Sequence, residues 1–447
     1  MPPKSSKKTA SRNSFPLLNS HAAGIDIGAT ELYVAVPLER ADKPVRCFGT
    51  FTEDLVAVSD WLKSCGVTSV AMESTGVYWI PIFQMLEDRG FEVCLVNARH
   101  VKNVPGRKTD VADCQWLQYL HSVGLLRGSF RPAQQVCAVR SLTRHRDALI
   151  KMGSVHVLHM QKALTQMNLQ LHHVITNITG VTGLAIIDSI LAGERDTEKL
   201  AAFRDKRIGA TKEIIAKSLV GDYRVEHLFT LEQSVQTYRH YQRLVAECDQ
   251  KIAAFLSAFD SRVDPGERPL PESTKRTRKK NPPELRIELY RLTGVDLTAI
   301  PGVQAGTVHT LLAEIGRDVS KFPSAKHFAS WLGLCPDNRV SGGRILSVQT
   351  RAVKNRAALA LRMAALTLYR SQTALGDYFR RMRAKLGAPK AITATAHKLA
   401  RIIYHLLKTG EPYDSTCFAR HEEQYKHRKE IYLKNQAKAM GFALVPI

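Results

Sequence analysis

The sequence predicts an α/β domain in its first third, followed by mainly helical regions. Three observations lead to this fold class. Short apolar runs alternate with helical runs between residues 21 and 131, apolar residues recur every three or four positions after residue 133, and a basic, proline-rich segment interrupts the helical part at residues 264–284. A chain of 447 residues has room for several domains with cores of their own.

The first third contains runs with the composition of β-strands and runs with the spacing of helices. The first three strands follow one another with little between them, whereas the later ones alternate with helices, so we expect a mixed sheet. The predicted strands are Ala23–Ile27, Leu32–Pro37, Val45–Thr50, Val67–Met72 and Val93–Val96, and the predicted helices are Glu53–Ser64, Val77–Arg89 and Asp110–Val123.

The remainder of the chain has the apolar spacing of helices. We predict separate helices over Val136–Ile150 and Val155–Gln170, and a long amphipathic helix over Leu231–Phe259 whose apolar stripe suits either core packing or pairing with another protomer. Residues 161–229 are extra helical material without an assigned role. The predicted domain limits are a basic flexible tail at 1–20, an α/β domain at 21–150, a helical or coiled-coil region at 151–263, a basic linker at 264–284 and a C-terminal domain at 285–447.

The net charge of +23 is the strongest global property of the chain. A field of this size attracts polyanions, so a nucleic-acid partner explains it better than a small metabolite does. A generally basic surface is the alternative. The linker carries a cluster that could contact phosphates, although a solvated loop would have the same composition: Lys275, Arg276, Arg278, Lys279 and Lys280.

Cysteine spacing and hydropathy indicate the compartment. The eight cysteines form no Cys-x-x-Cys pair and most lie in apolar runs, which is typical of thiols in a reducing environment. No apolar run approaches the about 20 residues that span a membrane. The N-terminal residues are basic and polar and lack the apolar stretch of a secretion signal, so we expect a cytoplasmic protein.

Four carboxylates are the candidate metal ligands. Asp26 and Glu73 adjoin strand-like apolar runs, where acids are rare, and Asp110 and Asp113 are three positions apart at the start of a helix and therefore project from one face. Taken singly, each is more simply a turn or capping residue. Together they have the hard oxygen ligands with which Mg²⁺ or Mn²⁺ is held against a phosphate.

A second candidate site surrounds Ser341. This serine precedes two glycines and lies between Arg339 and Arg344, so an exposed hydroxyl would have cations beside it for a phosphate or an oxyanion. The spacing alone favours an ordinary turn, since Ser-Gly-Gly is common in turns.

Glycine turns precede helices at two places. Ile300–Gly306 resembles a helix-hairpin-helix, in which backbone N–H groups face a phosphate, although Gln304 replaces the glycine usual in such hairpins. The segment Ile178–Gly183 is a weaker echo of the same pattern.

These motifs in combination resemble the DEDD transposases of bacterial insertion sequences, which are bridge-RNA-guided recombinases related to the Piv-type DNA invertases. The runs GIDIG, MESTGVYW and KTDVAD are similar to the RuvC-like (RNase H-like) domain of that family. The hairpin at Ile300–Gly306, the run Phe328–Leu334 and Ser341–Gly342 are similar to its C-terminal transposase domain.

The resemblance implies a mechanism that spacing alone does not. Asp26, Glu73, Asp110 and Asp113 would be the metal-binding tetrad, and Ser341 the nucleophile that forms a phosphoserine link to DNA. The enzyme would join donor and target DNA under the guidance of a noncoding RNA. It would act as a homo-oligomer, a dimer or tetramer, with one protomer's acids serving another's serine, at the bacterial nucleoid.

One departure from the family pattern and two other readings remain open. Many relatives have Pro-Arg before the serine, whereas Pro336 is followed by Asp337 here, so the arginine that contacts phosphate is not fixed by the resemblance. A RuvC-like junction endonuclease that hydrolyses DNA, with Ser341 structural, is the first alternative. A non-catalytic nucleic-acid-binding protein is the second, and the intact acids argue against it.

Overall fold

The computed structural model of the protein describes residues 16–97, 110–270 and 283–443. The chain divides into two compact units, Met1–Arg131 and Pro132–Ile447. The predicted cation cluster of the linker and the larger part of the predicted tail lie outside the described residues. The finer domain limits given above stay predictions.

The first unit is built on a five-stranded mixed sheet, which confirms the predicted fold class. Its strand order is β3-β2-β1-β4-β5, and the central strand β1 pairs antiparallel with β2 and parallel with β4. The strands are β1 Ala22–Ile27, β2 Glu31–Ala35, β3 Val45–Gly49, β4 Ser69–Glu73 and β5 Glu92–Val96.

Helices cover this sheet and bury its apolar side chains. The core contains Ile25, Leu62, Met72 and Leu86, all fully or almost fully buried. The helices are Thr52–Ser64, Trp79–Asp88 and Asp110–Ser122, together with the 3₁₀ turn Leu38–Arg40. Helix Asp110–Ser122 is called the acid helix below, because its first turn carries both predicted acids.

The second unit contains two 33-residue helices, Gln134–Gln166 and Val225–Ser257, here called the first and second long helices. They run antiparallel, since Arg146 donates to Asp249 (Nη2 to Oδ2, 3.0 Å) and the His156 ring stacks on Tyr241 with centroids 5.6 Å apart. The prediction of two helices around Gly153 is wrong. Gly153 lets the neighbouring helix approach closely, because a Cβ built there would lie 3.3 Å from the Cβ of Tyr241, so packing overrides its weak helix propensity.

The residues between the long helices form short helices around a core of their own. Met160, Leu164, Ile186, Leu200 and Leu231 belong to this buried cluster, so the tip of the long-helix pair and the intervening segment fold together. The short helices are Leu171–Val174, Val181–Leu191, Thr197–Ala201 and Lys212–Ser218.

The rest of the second unit is helical, as predicted, apart from one small hairpin. Buried Glu314 anchors the helix after the glycine turn, because it accepts from Arg144 at 3.0 and 2.8 Å. The helices are Pro283–Thr293, Ala305–Ile315, Ala325–Trp331, Arg356–Thr367, Ala374–Leu386, Ala388–Thr409 and Thr416–Ala439, with 3₁₀ turns at Leu297–Ala299 and Leu368–Arg370. The hairpin strands are β6 Arg339–Ser341 and β7 Arg344–Ser347. No helix in the described ranges is both long enough and apolar enough to cross a membrane.

Candidate active site

Asp26 and Glu73 lie at the same edge of the sheet. β1 and β4 are parallel neighbours, and the pairing of Ile25 with Met72 places Asp26 and Glu73 one step further along each strand. Carboxyl ends of adjacent parallel strands meet at one sheet edge, which is where α/β proteins bind ligands. Thr75 donates from Oγ1 to the Glu73 carboxylate at 3.0 Å and orients it.

The acid helix lies directly against β1. A Cβ built at Gly24 would overlap the Cys114 carbonyl oxygen and the Gln118 backbone nitrogen, so the absence of a side chain permits this approach. The Gln118 side chain donates to the Ala22 carbonyl at 3.3 Å. The sequence predicted both elements but not the role of Gly24, which looks like an ordinary strand residue until the helix is placed.

A buried hydrogen bond holds the other end of the acid helix. The Ser69 hydroxyl on β4 lies 2.6 Å from Nε2 of His121, and both residues are buried. Burial lowers the pKa of His121, so the ring is neutral in the folded protein at neutral pH. Asn19 adds a bond from its side chain to the His121 carbonyl at 2.8 Å. These contacts fix the helix whose first turn carries Asp110 and Asp113.

The carboxyl group of Asp26 has a perturbed pKa. Its pKa is raised from 3.8 to about 6, first by burial and then by the negative charges of Asp113 and Asp110, with a smaller effect of Glu73. One bond opposes this rise, since the Ile27 amide donates to Asp26 at 3.0 Å. The four predicted acids therefore share one electrostatic environment.

The Cys114 thiol belongs to the same environment. Burial raises its pKa to about 12, and the Asp26 charge contributes further. Cys114 therefore remains a protonated thiol and packs as a small apolar side chain.

The acids have the chemistry of a metal site but not its closed geometry. Over residues 16–97, 110–270 and 283–443, no group of three or more His, Cys, Asp or Glu side chains converges closely enough to hold a metal ion. Mutual repulsion at Asp26 nevertheless marks a deficit of positive charge, and carboxylate oxygens are the donors that Mg²⁺ and Mn²⁺ prefer. The donor set fits a hard divalent cation.

Ser341 ends strand β6 in a two-residue hairpin. Its partner across the strands is Arg344, and the turn residues Gly342 and Gly343 have φ angles of 53° and 75°. Two successive residues of positive φ define the tight hairpin turn that glycine allows without strain. The sequence suggested a turn here but not strands, because the flanking apolar run is short.

The hairpin is exposed along its length. Val340 is 59% exposed, Ile345 65% and Leu346 69%, and a Cβ built on either turn glycine would meet no atom within 4 Å. Residues directly opposite in a hairpin have adjacent side chains, so Arg344 is the cation placed beside Ser341. Arg339 pairs instead with Ser347, and a bulge follows it.

The base of the hairpin is tied to the domain. The Arg362 guanidinium donates to the Gly333 carbonyl at 3.3 Å, and Arg351 donates to the Ser330 carbonyl at 2.6 Å. Motif spacing did not predict these two arginines as anchors, since they read as part of a cationic helix. The hydroxyl of Ser341 is thus presented on a protruding strand pair with a fixed base.

The glycine turn before helix Ala305–Ile315 is packed against a neighbour. Gly302 has φ of 83°, and a Cβ there would lie 2.8 Å from the Ala364 carbonyl oxygen. Its conformation is therefore required by packing. Its use as a phosphate-binding hairpin stays a prediction.

Two parts of the chain match transposase families. Residues 23–169 match the transposase family of IS110-type DEDD enzymes. Residues 296–380 match the transposases of the IS116/IS110/IS902 family. Together the two segments cover more than half of the chain. The protein belongs to the IS110 transposase family. This confirms the family that the acid and serine motifs resembled.

Individual relatives of this IS110-family chain match over shorter stretches. An uncharacterized 43.6 kDa protein of insertion element IS110 from Streptomyces coelicolor is 32% identical over 134 residues, which are 29% of this chain and 32% of the relative. The pilin gene-inverting proteins of Moraxella bovis and Moraxella lacunata are each 33% identical over 122 residues, which are 26% of this chain and 38% of theirs. The matched segments span about a third of the length of these relatives.

Proposed function

We propose that this protein is a recombinase of an insertion sequence, which cuts and rejoins donor and target DNA through a link to Ser341. The observation that carries the proposal is that one chain of the IS110 family contains both an acid cluster whose charges interact and an exposed serine with an arginine opposite it. The net charge of +23 supports a nucleic-acid substrate.

The chemistry assigned to the serine is phosphoryl transfer without net hydrolysis. The Ser341 Oγ loses its proton and forms a bond to a backbone phosphorus, and one P–O bond of the DNA breaks to leave a hydroxyl end that takes up a proton. The hydroxyl of a second strand then attacks the phosphoserine and releases the serine, so one P–O bond is exchanged for another. Arg344, opposite Ser341, stabilises the charge on the phosphoryl oxygens.

The acids are proposed to hold a divalent cation, Mg²⁺ or Mn²⁺. Asp26, Glu73, Asp110 and Asp113 would be its ligands, and when bound it would neutralise phosphate charge and orient the scissile group. The hydrogen bond from Thr75 keeps one Glu73 oxygen in place, which leaves the other free to bind.

The test uses purified protein, DNA that carries the element junction, the RNA encoded beside the element, and Mg²⁺. We expect wild-type protein to form an adduct that survives denaturing electrophoresis, and Ser341→Ala to lose the adduct and recombination by at least about 1,000-fold. Ser347→Ala, in the neighbouring strand of the hairpin, is the matched control and should retain both. Normal recombination by Ser341→Ala would show that the nucleophile is wrongly assigned.

Hydrolysis by the acid unit alone is the second candidate. It is favoured by the location of all four acids within Met1–Arg131, which has its own sheet and core. In this case metal-dependent nicks would form with no adduct, and Ser341→Ala would cut at the wild-type rate.

The proposed enzyme binds a noncoding guide RNA and acts as a homo-oligomer, a dimer or tetramer. Its DNA substrate would place it at the nucleoid. Apolar side chains exposed along the first long helix support self-association, because Met152 is 49%, Val155 46% and Leu158 62% exposed. Sequencing of RNA that copurifies with the protein tests the guide. Light scattering measures the mass of the dimer or tetramer. Leu158→Glu should shift the protein toward the monomer. Ile214→Glu, at an exposed position in the chain segment that connects the two long helices, is the control and should leave the mass unchanged.

A further inference from the structure

The helix Ala388–Thr409, here called the basic helix, is unusual in its charge. Its 22 residues include four lysines or arginines and two histidines but no aspartate or glutamate. Its apolar side is buried, with Leu399 and Ile403 fully inaccessible to solvent. Arg401, His405 and Lys408 are exposed. These positions recur every three or four residues, so they share one face.

Two adjoining grooves lie along this face. A groove of about 750 Å³ is lined by Lys398, Arg401 and Lys408 together with the start of helix Ala325–Trp331. A second groove, of about 540 Å³, lies beside the helix end and is lined by Lys408, Arg262 and Arg268. Lys408 lines both grooves, and the cations of the two linings are here called the basic track: Lys398, Arg401, Lys408, Arg262 and Arg268.

Carboxylates near the basic track are few and are bonded locally. Asp318 accepts from the Ser320 amide and hydroxyl at 2.8 Å each. Asp414 accepts from the Thr416 amide at 2.7 Å, and Glu411 lies 3.3 Å from His405. Three acids therefore line the two grooves beside five lysines and arginines, and the groove linings keep an excess of positive charge.

In the second groove, the positive charge of Arg262 is only partly compensated by nearby carboxylates. Burial lowers the pKa of this guanidinium, Arg317 lowers it further, and Asp318 opposes the fall. Among the described residues, the Arg262 side chain donates a hydrogen bond to the Leu407 carbonyl at 3.3 Å. An anion bound beside Arg262 would relieve this repulsion.

We propose that the basic track binds the sugar–phosphate backbone of the nucleic acid on which the enzyme acts. The inference rests on the proposed function and assigns it a binding surface apart from Ser341. From Lys398 to Lys408 the helix rises about 15 Å, a length along which one strand presents about four phosphates. Arg262 and Arg268 continue the track in the second groove. DNA and RNA present the same phosphate chemistry, and the experiment separates them.

The experiment measures dissociation constants of the full chain for a fluorescent 20-base-pair DNA duplex and a fluorescent 20-nucleotide single-stranded RNA, each from 50 to 300 mM NaCl. The test variant carries Arg268→Ala, Arg401→Ala and Lys408→Ala, all exposed. The control variant carries Lys206→Ala, Lys212→Ala and Lys217→Ala, also exposed and between the long helices. Both variants lose three positive charges, so any difference reports position and not net charge.

Each lost phosphate contact lowers the salt slope of log Kd by about 0.9 for duplex DNA and about 0.7 for a single strand. We therefore expect the test variant to lose about 2 to 3 from the slope and about 100-fold in affinity at 0.1 M salt for at least one probe, with the control within about threefold of wild type. The probe that weakens identifies the bound nucleic acid. If the test and control variants have equal affinities for both probes, the basic track is not the binding surface. If wild type binds neither probe, the proposed function is itself wrong. Circular-dichroism spectra and melting temperatures equal to those of wild type show that each variant is folded.

Discussion

The acid edge of the first unit and the serine hairpin of the second are built in opposite ways. Asp26 extends from the central strand of a covered sheet, beside a helix in backbone contact with it. Ser341 lies on two short strands whose residues are exposed almost throughout. The candidate metal ligands are thus positioned by a covered sheet, whereas the proposed nucleophile is positioned by a turn of defined backbone shape.

The largest expected effect comes from the two glycines that shape these regions. Gly24→Ala should lower the free energy of unfolding of the first unit by about 3 kcal/mol, because its Cβ meets backbone atoms that can move only if the acid helix shifts. Gly342→Ala, with no atom within 4 Å, should cost about 1 kcal/mol from its positive φ alone and lower the melting temperature of the second unit only slightly. Thermal melts followed by circular dichroism measure both. Equal destabilisation would contradict the distinction.

Removing the buried bond beneath the acid helix should have the next largest effect. Ser69→Ala leaves Nε2 of His121 without its partner and should destabilise the first unit by about 2 kcal/mol. Ser64→Ala is the control, since this hydroxyl is exposed and bonds only within its own helix. Urea titrations at pH 7.5 compare the two, and a loss below about 0.5 kcal/mol at Ser69 would mean that the bond does not hold the helix.

The pH dependence of stability tests whether Asp26 is destabilised by burial and by the neighbouring carboxylates. The pKa of Asp26 is about 6 in the folded protein against 3.8 for a free carboxyl, so the folded state binds the proton more tightly, and stability falls as pH rises from about 4 to 6. A fully buried group would cost about 3 kcal/mol above pH 6, and the partial exposure of Asp26 reduces this to about 1 kcal/mol.

Asp26→Asn should therefore stabilise the metal-free protein by about 1 kcal/mol at pH 7.5 and by nothing at pH 4. Asp42→Asn, an exposed loop change of the same charge, should do neither. Melting temperatures at pH 4, 6 and 7.5 in the presence of a chelator measure the difference. Added Mg²⁺ should raise the melting temperature of wild type and not of Asp26→Asn, and a gain in the variant of equal size would place the ion elsewhere.

The smallest expected effect compares two isoleucines. Ile25→Val removes a methylene from the sheet core and should cost about 1 kcal/mol, whereas Ile345→Val on the hairpin should cost less than about 0.2 kcal/mol. Guanidinium titrations of each unit's transition measure both. A cost at Ile345 near that at Ile25 would show that the hairpin is covered in solution.

The sequence predicted the sheet and the shared helix face of Asp110 and Asp113 because each depends on local pattern, whereas the role of Ser341 rests on the family resemblance and stays a prediction. Alternating apolar residues indicate strands, and Asp110 and Asp113 fall on one helix face from spacing alone. The continuity of the first long helix through Gly153, the close approach at Gly24 and the packing of Gly302 were not predicted. Each depends on what lies opposite the glycine in space, which no local pattern records.

The domain-level charge was also visible in sequence, but its arrangement was not. The cations of the linker are nearly consecutive in the sequence, whereas those of the basic helix are spaced among apolar residues. Only the fold shows that Lys408 lines one groove with Lys398 and Arg401 and a second groove with Arg262 and Arg268, which are more than a hundred positions away.

The long-helix pair has a consequence for how such chains can change in length. The two helices are equally long and antiparallel, so the chain leaves the domain along one and returns beside its point of departure after about 50 Å. The residues between the two helices pack at the far end of the pair around a core of their own. Insertions and deletions between the two long helices would change the size of this small domain without changing how the helices pair at their other end. Related enzymes can therefore gain or lose a module at this position.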